Sequence, residues 1–140
     1  IINPIHIEEN IGISKDFNNF ELRKAIGEKD TLKANRIIAY FAENPKNNPL
    51  VMTISLLNGF FTQLLLFHGL TDKSKNSVAK SLGVSPFVID EYFLAGRNYP
   101  MRKVAQIIAF LRDADVKSKG VGANQSNEDV LKELLFKILH

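Results

Sequence analysis

Three histidines are the side chains best suited to bind a metal ion or pass a proton, and they stand far apart, at His6, His68 and His140. None is followed by a second histidine at the four-residue spacing that places two imidazoles on one helix face. The sequence contains no cysteine, which excludes a thiolate zinc site. His68 ends an apolar stretch, where a histidine usually packs against the core or caps the helix. We therefore predict no metal site.

Carboxylates and hydroxyls form no catalytic arrangement either. Acidic residues that stand close in sequence, such as Asp113 and Asp115, would point in different directions from a helix and could not share a proton. No serine has the Gly-x-Ser-x-Gly context of a nucleophile elbow. Gly120-Val121-Gly122 ends a helical pattern, and no Gly-Lys-Ser/Thr follows it as in a phosphate-binding loop. We predict that the chain has no catalytic residue and no cofactor.

The composition is typical of a single soluble domain. The 140 residues fit one domain, and 45% of them are apolar, which is enough for a core. The absence of cysteine suits a reducing compartment, and residues 1–13 lack the pattern of a secretory signal, so we predict a cytoplasmic location. The net charge of +3 permits contact with nucleic acid without requiring it. Because the sequence begins with Ile1, we expect a piece of a longer protein.

Apolar residues recur at helical spacing along most of the chain, and no stretch alternates as a strand would. Asn18 and Glu21 have the spacing of a capping box, Asp30 is placed to cap the next helix, and Ser126 to cap the last. These signals predict an all-α fold, a compact bundle of about six to eight helices. The predicted helices are 4–11, 18–27, 30–44, 49–70, 72–82, 85–96, 100–119 and 126–139.

Residues 49–70 form the most apolar stretch, close to the roughly 20 residues that a membrane-spanning helix needs. Polar residues such as Thr53, Asn58 and Gln63 are spread through it, however, and they would face lipid in a membrane. A buried central helix explains this mixture better, so no contact with a membrane is predicted.

The segment around Val78, Ala79, Gly83 and Ile89 has the spacing of a helix-turn-helix, which offers an alternative function. In a DNA-binding domain the hairpin of residues 72–98 would place its second helix in the major groove. That helix would present Asp90 and another carboxylate to phosphates, which is unfavourable. We therefore favour a hairpin used for packing and keep DNA binding as the alternative.

Several stretches occur together in an order that resembles a known family. They are 20–26 (FELRKAI), 33–38 (KANRII), 77–87 (SVAKSLGVSPF) and 111–120 (LRDADVKSKG), which are followed by a leucine-rich terminal helix. Over about residues 17–140 the chain resembles the C-terminal region of the delta subunit of the bacterial DNA polymerase III clamp loader. Asp115 and Lys119 in the last stretch are four apart, a favourable spacing for an ion pair within a helix.

The resemblance implies a part in DNA replication. Residues 1–14 would be the end of the helical lid domain or a linker, and residues 15–140 the helical collar domain, which packs beside the collar domains of gamma/tau and delta-prime type subunits. The sliding clamp would be contacted only through the N-terminal domain, which this chain lacks, and DNA only indirectly through the complex. Delta itself is not an ATPase in this family, although the parent holoenzyme is a DNA-directed DNA polymerase. The expected location is the replisome in the bacterial cytoplasm.

Two groups of residues are candidates for the contact with partner subunits. Arg97 and Arg102 stand near aromatic residues, a composition enriched at interfaces and equally typical of a corner between helices. Leu131, Leu135 and Leu139 share one face of the terminal helix, which either closes the core or meets a neighbouring subunit. A third possibility is that the chain is a helical domain of an enzyme whose active site lies in another domain.

Overall fold

The computed structural model describes residues 17–119 and 126–140. In these residues the chain forms seven α-helices and no strand, which confirms the all-α prediction. The helices are α1 (Asn19–Gly27), α2 (Thr31–Glu43), α3 (Leu50–Gly69), α4 (Lys75–Leu82), α5 (Pro86–Asn98), α6 (Met101–Ser118) and α7 (Asn127–Leu139). The helix predicted at 4–11, the loop at 120–125 and the proposed boundary between residues 14 and 15 lie outside the described residues.

Three polar side chains start helices where the sequence predicts them. Asn18, Asp30 and Ser126 each accept a hydrogen bond from the backbone N–H three residues further on, at 2.9, 3.1 and 3.1 Å. These bonds satisfy N–H groups that have no partner within the helix. The starts of α1, α2 and α7 are therefore encoded locally.

The start of α4 differs from the prediction. The sequence pattern predicts that this helix begins at Asp72, whereas it begins at Lys75. The Asp72 Oδ1 accepts a hydrogen bond from the backbone N–H of Ser74 at 2.9 Å, which holds these residues in a turn. Aspartate often bonds the backbone two residues on, and this turn competes with the first turn of a helix.

Helix α3 is the central element of the bundle. It packs most extensively along α6, and it also contacts α1 and α5. His68, near the end of α3, bonds to Tyr99 just before α6 begins, whereas Val51 at the start of α3 shares a groove with Lys119 just after α6 ends. The two helices are therefore antiparallel. Helix α7 closes the bundle against α2 and α6.

Length and composition alone would allow α3 to cross a membrane. In the structure, residues such as Leu57, Phe61 and Leu64 along α3 are buried in the core of the bundle. This packing supports the predicted role of a central helix in a globular domain.

Tyr99 lies fully buried where α1, α3 and the junction between α5 and α6 meet. Its hydroxyl donates to the carbonyl oxygen of Ile26 at 2.6 Å, and the His68 Nε2 donates to the Tyr99 carbonyl oxygen at 2.7 Å. Burial raises the pKa of the Tyr99 phenol well above its ordinary value. His68 is thus a packed histidine with a structural bond, as its sequence position predicts.

Candidate protein–protein interface

The solvent face of α3 carries no charge, because no Asp, Glu, Lys or Arg occurs between Leu50 and Gly69. Met52 and Leu66 on this face are 60% and 54% exposed. The exposed residues of the α3 face are Val51, Met52, Ser55, Asn58, Gly59, Thr62 and Leu66. Surface helices normally place charged residues toward water. An uncharged helix face that exposes several large apolar side chains is instead typical of a surface that another protein covers.

A groove of about 430 Å³ runs between α3 and α6 along one edge of this face. Val51, Ile54, Ser55 and Asn58 line it from α3, and Leu111, Arg112, Asp115 and Lys119 line it from α6 or its end. All the charge of the groove therefore comes from the α6 side. The groove belongs to the same surface as the α3 face and adds charged groups to its edge.

The charged groups of the groove are not all paired with each other. Lys119 lies 3.1 Å from Asp115, the pair expected from their spacing. Arg112 is exposed, and it makes no ion pair with any carboxylate among the residues that the structure describes. The groove therefore contains one internal ion pair and one arginine without an acidic partner in the described part of the chain.

A second exposed surface joins α1 to α5. Phe20 and Phe87 are 61% and 94% exposed, and between them Arg23 forms an ion pair with Glu91 at 3.0 Å. The Arg23 guanidinium also lies 5.3 Å from the centre of the Phe20 ring. Arginine and aromatic side chains are enriched where proteins bind each other. This second surface is accordingly a further place where a partner could dock.

Arg97 and Arg102, the arginines singled out from the sequence, are both exposed, on either side of the corner between α5 and α6. Neither forms an ion pair with a carboxylate within residues 17–119 and 126–140. The structure does not join them to the α3 face or to the groove. Their role at an interface stays a prediction.

The three leucines of the terminal helix occupy the core. Leu131, Leu135 and Leu139 are buried where α7 packs against α2 and α6, so this side of α7 closes the bundle. They therefore offer little surface to a neighbour, and their role at an interface also stays a prediction. On the outer side of α7, Phe136 is exposed and stacks on His140, with ring centres 4.6 Å apart.

The exposed apolar residues of α3 were not predicted from the sequence. The signal that could have found them was present, since a helix of this length without one charged residue is unusual for a domain in water. Which of its residues face solvent could not be predicted, because apolar and small residues occur on every side of this helix.

Helices α4 and α5 pack against each other across a short turn, as the predicted hairpin would, but their surface does not suit DNA. Gly83 adopts the left-handed conformation at φ +66°, which ends α4 and turns the chain into α5. Ile89 packs inward, while Asp90 is exposed and Glu91 is paired with Arg23. Asp90 is also paired, with Lys75 at 3.0 Å, and Arg97 is the only basic residue within α5, so this helix offers phosphates no cluster of cations.

Two features of the described residues bear on metal binding and on acid–base chemistry. No group of three His, Asp or Glu side chains in residues 17–119 and 126–140 could hold a metal ion. The hydrogen bond to Glu133 raises the pKa of Lys117, as does a second one to Asp113. A raised pKa keeps Lys117 protonated, as expected of a lysine in an ion pair between α6 and α7. A lysine that acts as a catalytic base needs a lowered pKa instead.

Comparison with known proteins identifies the family. The sequence profile described as "DNA polymerase III delta subunit, C-terminal domain" matches residues 16–137. A comparison with curated protein sequences gave no significant match.

Among solved structures, the fold is similar to that of the Bacillus subtilis DNA clamp loader delta protein (YqeN), with a TM-score of 0.66 and 18% sequence identity. The similarity covers 86% of this chain and 35% of the Bacillus protein, so the chain spans about a third of that protein's length. At this identity the likeness shows a shared fold. Because the profile match extends over nearly the whole sequence, the chain belongs to the family of C-terminal domains of the DNA polymerase III delta subunit.

Proposed function

We propose that this chain is a non-catalytic assembly domain of a bacterial clamp loader. It packs beside the collar domains of the gamma/tau and delta-prime type subunits, and so helps the complex to load the sliding clamp during DNA replication. The family supports this proposal because it is the C-terminal domain of a clamp-loader subunit. The observation that carries it is the α3 face, an uncharged helix surface on which Val51, Met52 and Leu66 are exposed.

Physical chemistry explains how the α3 face would serve assembly. Covering an exposed apolar side chain stabilises a complex by about 25 cal/mol per Å² of apolar surface removed from water. Small residues such as Ser55, Gly59 and Thr62 let a partner helix approach the α3 backbone closely. The absence of charge means that no ion must be stripped of water when the surfaces meet.

Other parts of the proposal concern the full complex. The sliding clamp would be held through an N-terminal domain of the parent subunit, and DNA would be reached only through the assembled complex. ATP hydrolysis would belong to other subunits. The complex would act in the replisome, in the bacterial cytoplasm.

The test is light-scattering chromatography of the chain, alone and mixed with the other clamp-loader subunits of the same organism. We expect a stable complex with the natural sequence and its loss in the variant with Met52→Glu and Leu66→Glu. A matched control is Leu32→Glu, which adds a charge at an exposed leucine of α2, outside the α3 face. If the double variant still co-elutes while its fold is intact, the α3 face is not the interface.

A further inference from the structure

We propose that the groove between α3 and α6 receives a segment of a partner protein that places a carboxylate against Arg112. This inference rests on the proposed assembly function and makes it more specific. The occupant is a protein segment with an apolar stretch and at least one Asp or Glu, because the groove combines an uncharged wall from α3 with a cationic rim from α6.

The charge of the groove determines which sign of charge its ligand carries. Arg112, Asp115 and Lys119 are its charged residues, two positive and one negative, and the Asp115–Lys119 pair cancels internally at 3.1 Å. Arg112 is left without an acidic partner among the described residues. A guanidinium binds a carboxylate through two parallel hydrogen bonds, which fixes the position of the partner as well as attracting it.

The walls of the groove indicate a protein segment. Val51, Ile54 and Leu111 supply apolar surface, while Ser55 and Asn58 can hydrogen-bond to a backbone or a polar side chain. Nucleic acid is bound by several cations that each neutralise a phosphate. One unpaired arginine between apolar side chains fits an acidic, partly apolar peptide segment better.

A second copy of this chain is a poorer occupant. A second copy that binds through this same surface has no carboxylate to offer Arg112, because its α3 face is uncharged and its Asp115 is already paired with Lys119. A symmetric pair would bring a second Arg112 to the same interface. The charges therefore favour a different protein as partner.

The experiment compares arginine variants of the 140-residue chain. Its affinity for the other clamp-loader subunits of the same organism is measured by calorimetry at low and at high salt. We expect Arg112→Glu to lower the affinity about tenfold or more at low salt, and high salt should reduce this loss because it screens the new repulsion between carboxylates. Arg112→Lys should lie between this variant and the natural sequence, because lysine keeps the charge without the planar fork. Arg36→Glu is the control, since Arg36 is an exposed arginine on α2, away from the groove.

Failure of this inference can be told apart from failure of the proposed function. If the natural chain binds none of the subunits, the assembly function fails. If the Met52→Glu, Leu66→Glu variant loses binding while Arg112→Glu binds normally, assembly stands and the groove proposal is overturned.

Two other occupants would also overturn the proposal. If Arg112→Glu and the double variant Glu8→Gln, Glu9→Gln each lower the melting temperature of the isolated chain equally, the acidic group comes from this chain itself. If Arg112→Glu instead abolishes binding to a duplex DNA oligonucleotide and leaves subunit binding unchanged, the ligand is a phosphate.

Discussion

Tyr99 connects three parts of the bundle through its two polar groups. Its hydroxyl bonds to Ile26 at the end of α1, and its carbonyl oxygen bonds to His68 at the end of α3. The ring also packs edge-on against Phe61, with ring centres 5.5 Å apart. A buried hydroxyl must be bonded to avoid the cost of losing water, so this residue fixes the position of three elements.

The first prediction concerns this hydroxyl. Tyr99→Phe keeps the ring and removes the bond to Ile26, and we expect the free energy of unfolding to fall by about 1–2 kcal/mol. The loss stays modest because the Ile26 carbonyl also accepts from the backbone N–H of Lys29. Urea unfolding measures the change, and an unchanged midpoint would contradict the prediction.

The second prediction is a loss of stability in alkali. Burial raises the pKa of Tyr99 in the folded state above its value of about 10 in the unfolded chain. Below about pH 10 both states keep the proton and stability is full; above it only the unfolded state ionises, so stability decreases as pH rises. Urea unfolding from about pH 8 to about pH 11 should show this decrease.

Tyr99→Phe provides the control for the alkaline effect. The variant should lose less stability over the same pH range than the natural sequence. A smaller loss of stability at alkaline pH should remain, since burial also raises the pKa of Tyr92. Identical pH profiles for the two proteins would show that Tyr99 does not cause the effect.

At the scale of secondary-structure elements, two glycines within helices differ in the space around them. A Cβ added to Gly96 in α5 would lie 2.6 Å from Cε2 of Phe67 in α3, whereas one added to Gly59 would meet nothing within 4 Å. Phe67 is buried and packs against Phe93, with ring centres 5.1 Å apart, so its ring has little room to move. Gly96 therefore allows α5 to approach α3 closely.

The third prediction uses these glycines as a matched pair. Gly96→Ala should destabilise the fold by about 1–3 kcal/mol, because overpacking outweighs the better helix propensity of alanine. Gly59→Ala should stabilise it by about 0.5–1 kcal/mol, since only propensity changes there. Thermal unfolding of both variants measures the difference, and a destabilising Gly59→Ala would mean that the α3 face is more crowded than its open surroundings indicate.

At the scale of the whole molecule, the bundle leaves its most apolar helix partly uncovered. Helix α6 covers one flank of α3, and α1 and α5 cover another, but the α3 face remains open to solvent. No charged residue of α3 itself protects this surface. The arrangement is expected of a domain that completes its packing within an assembly.

The fourth prediction follows from that incomplete packing. A partner that binds only the folded state stabilises it by about 2.7 kcal/mol at a concentration one hundred times the dissociation constant. Adding the other clamp-loader subunits should therefore raise the melting temperature of the natural chain and of Leu32→Glu. The melting temperature of the Met52→Glu, Leu66→Glu variant should not change. An equal rise for all three proteins would mean that the partner subunits bind outside the α3 face.

The sequence by itself determined the helical class, most helix ends and the family. Asn18, Asp30 and Ser126 cap helices through bonds to residues three positions away, so neighbouring residues were enough to predict them. The predicted start of α4 at Asp72 was wrong. The turn that replaces the first helical turn there is also formed by neighbouring residues, and the local sequence was compatible with either. The resemblance to the family was also visible in the sequence, and the family profile matches residues 16–137.

Only the tertiary structure decided which apolar side chains are buried and which charges remain unpaired. The sequence did not show whether Leu131, Leu135 and Leu139 are buried, and in the structure all three lie in the core. It could not assign Met52 to solvent or Arg112 to a groove beside α3. The physical reason is that periodicity identifies an apolar helix, whereas its exposed side depends on where the neighbouring helices pack, through contacts between residues far apart in the chain.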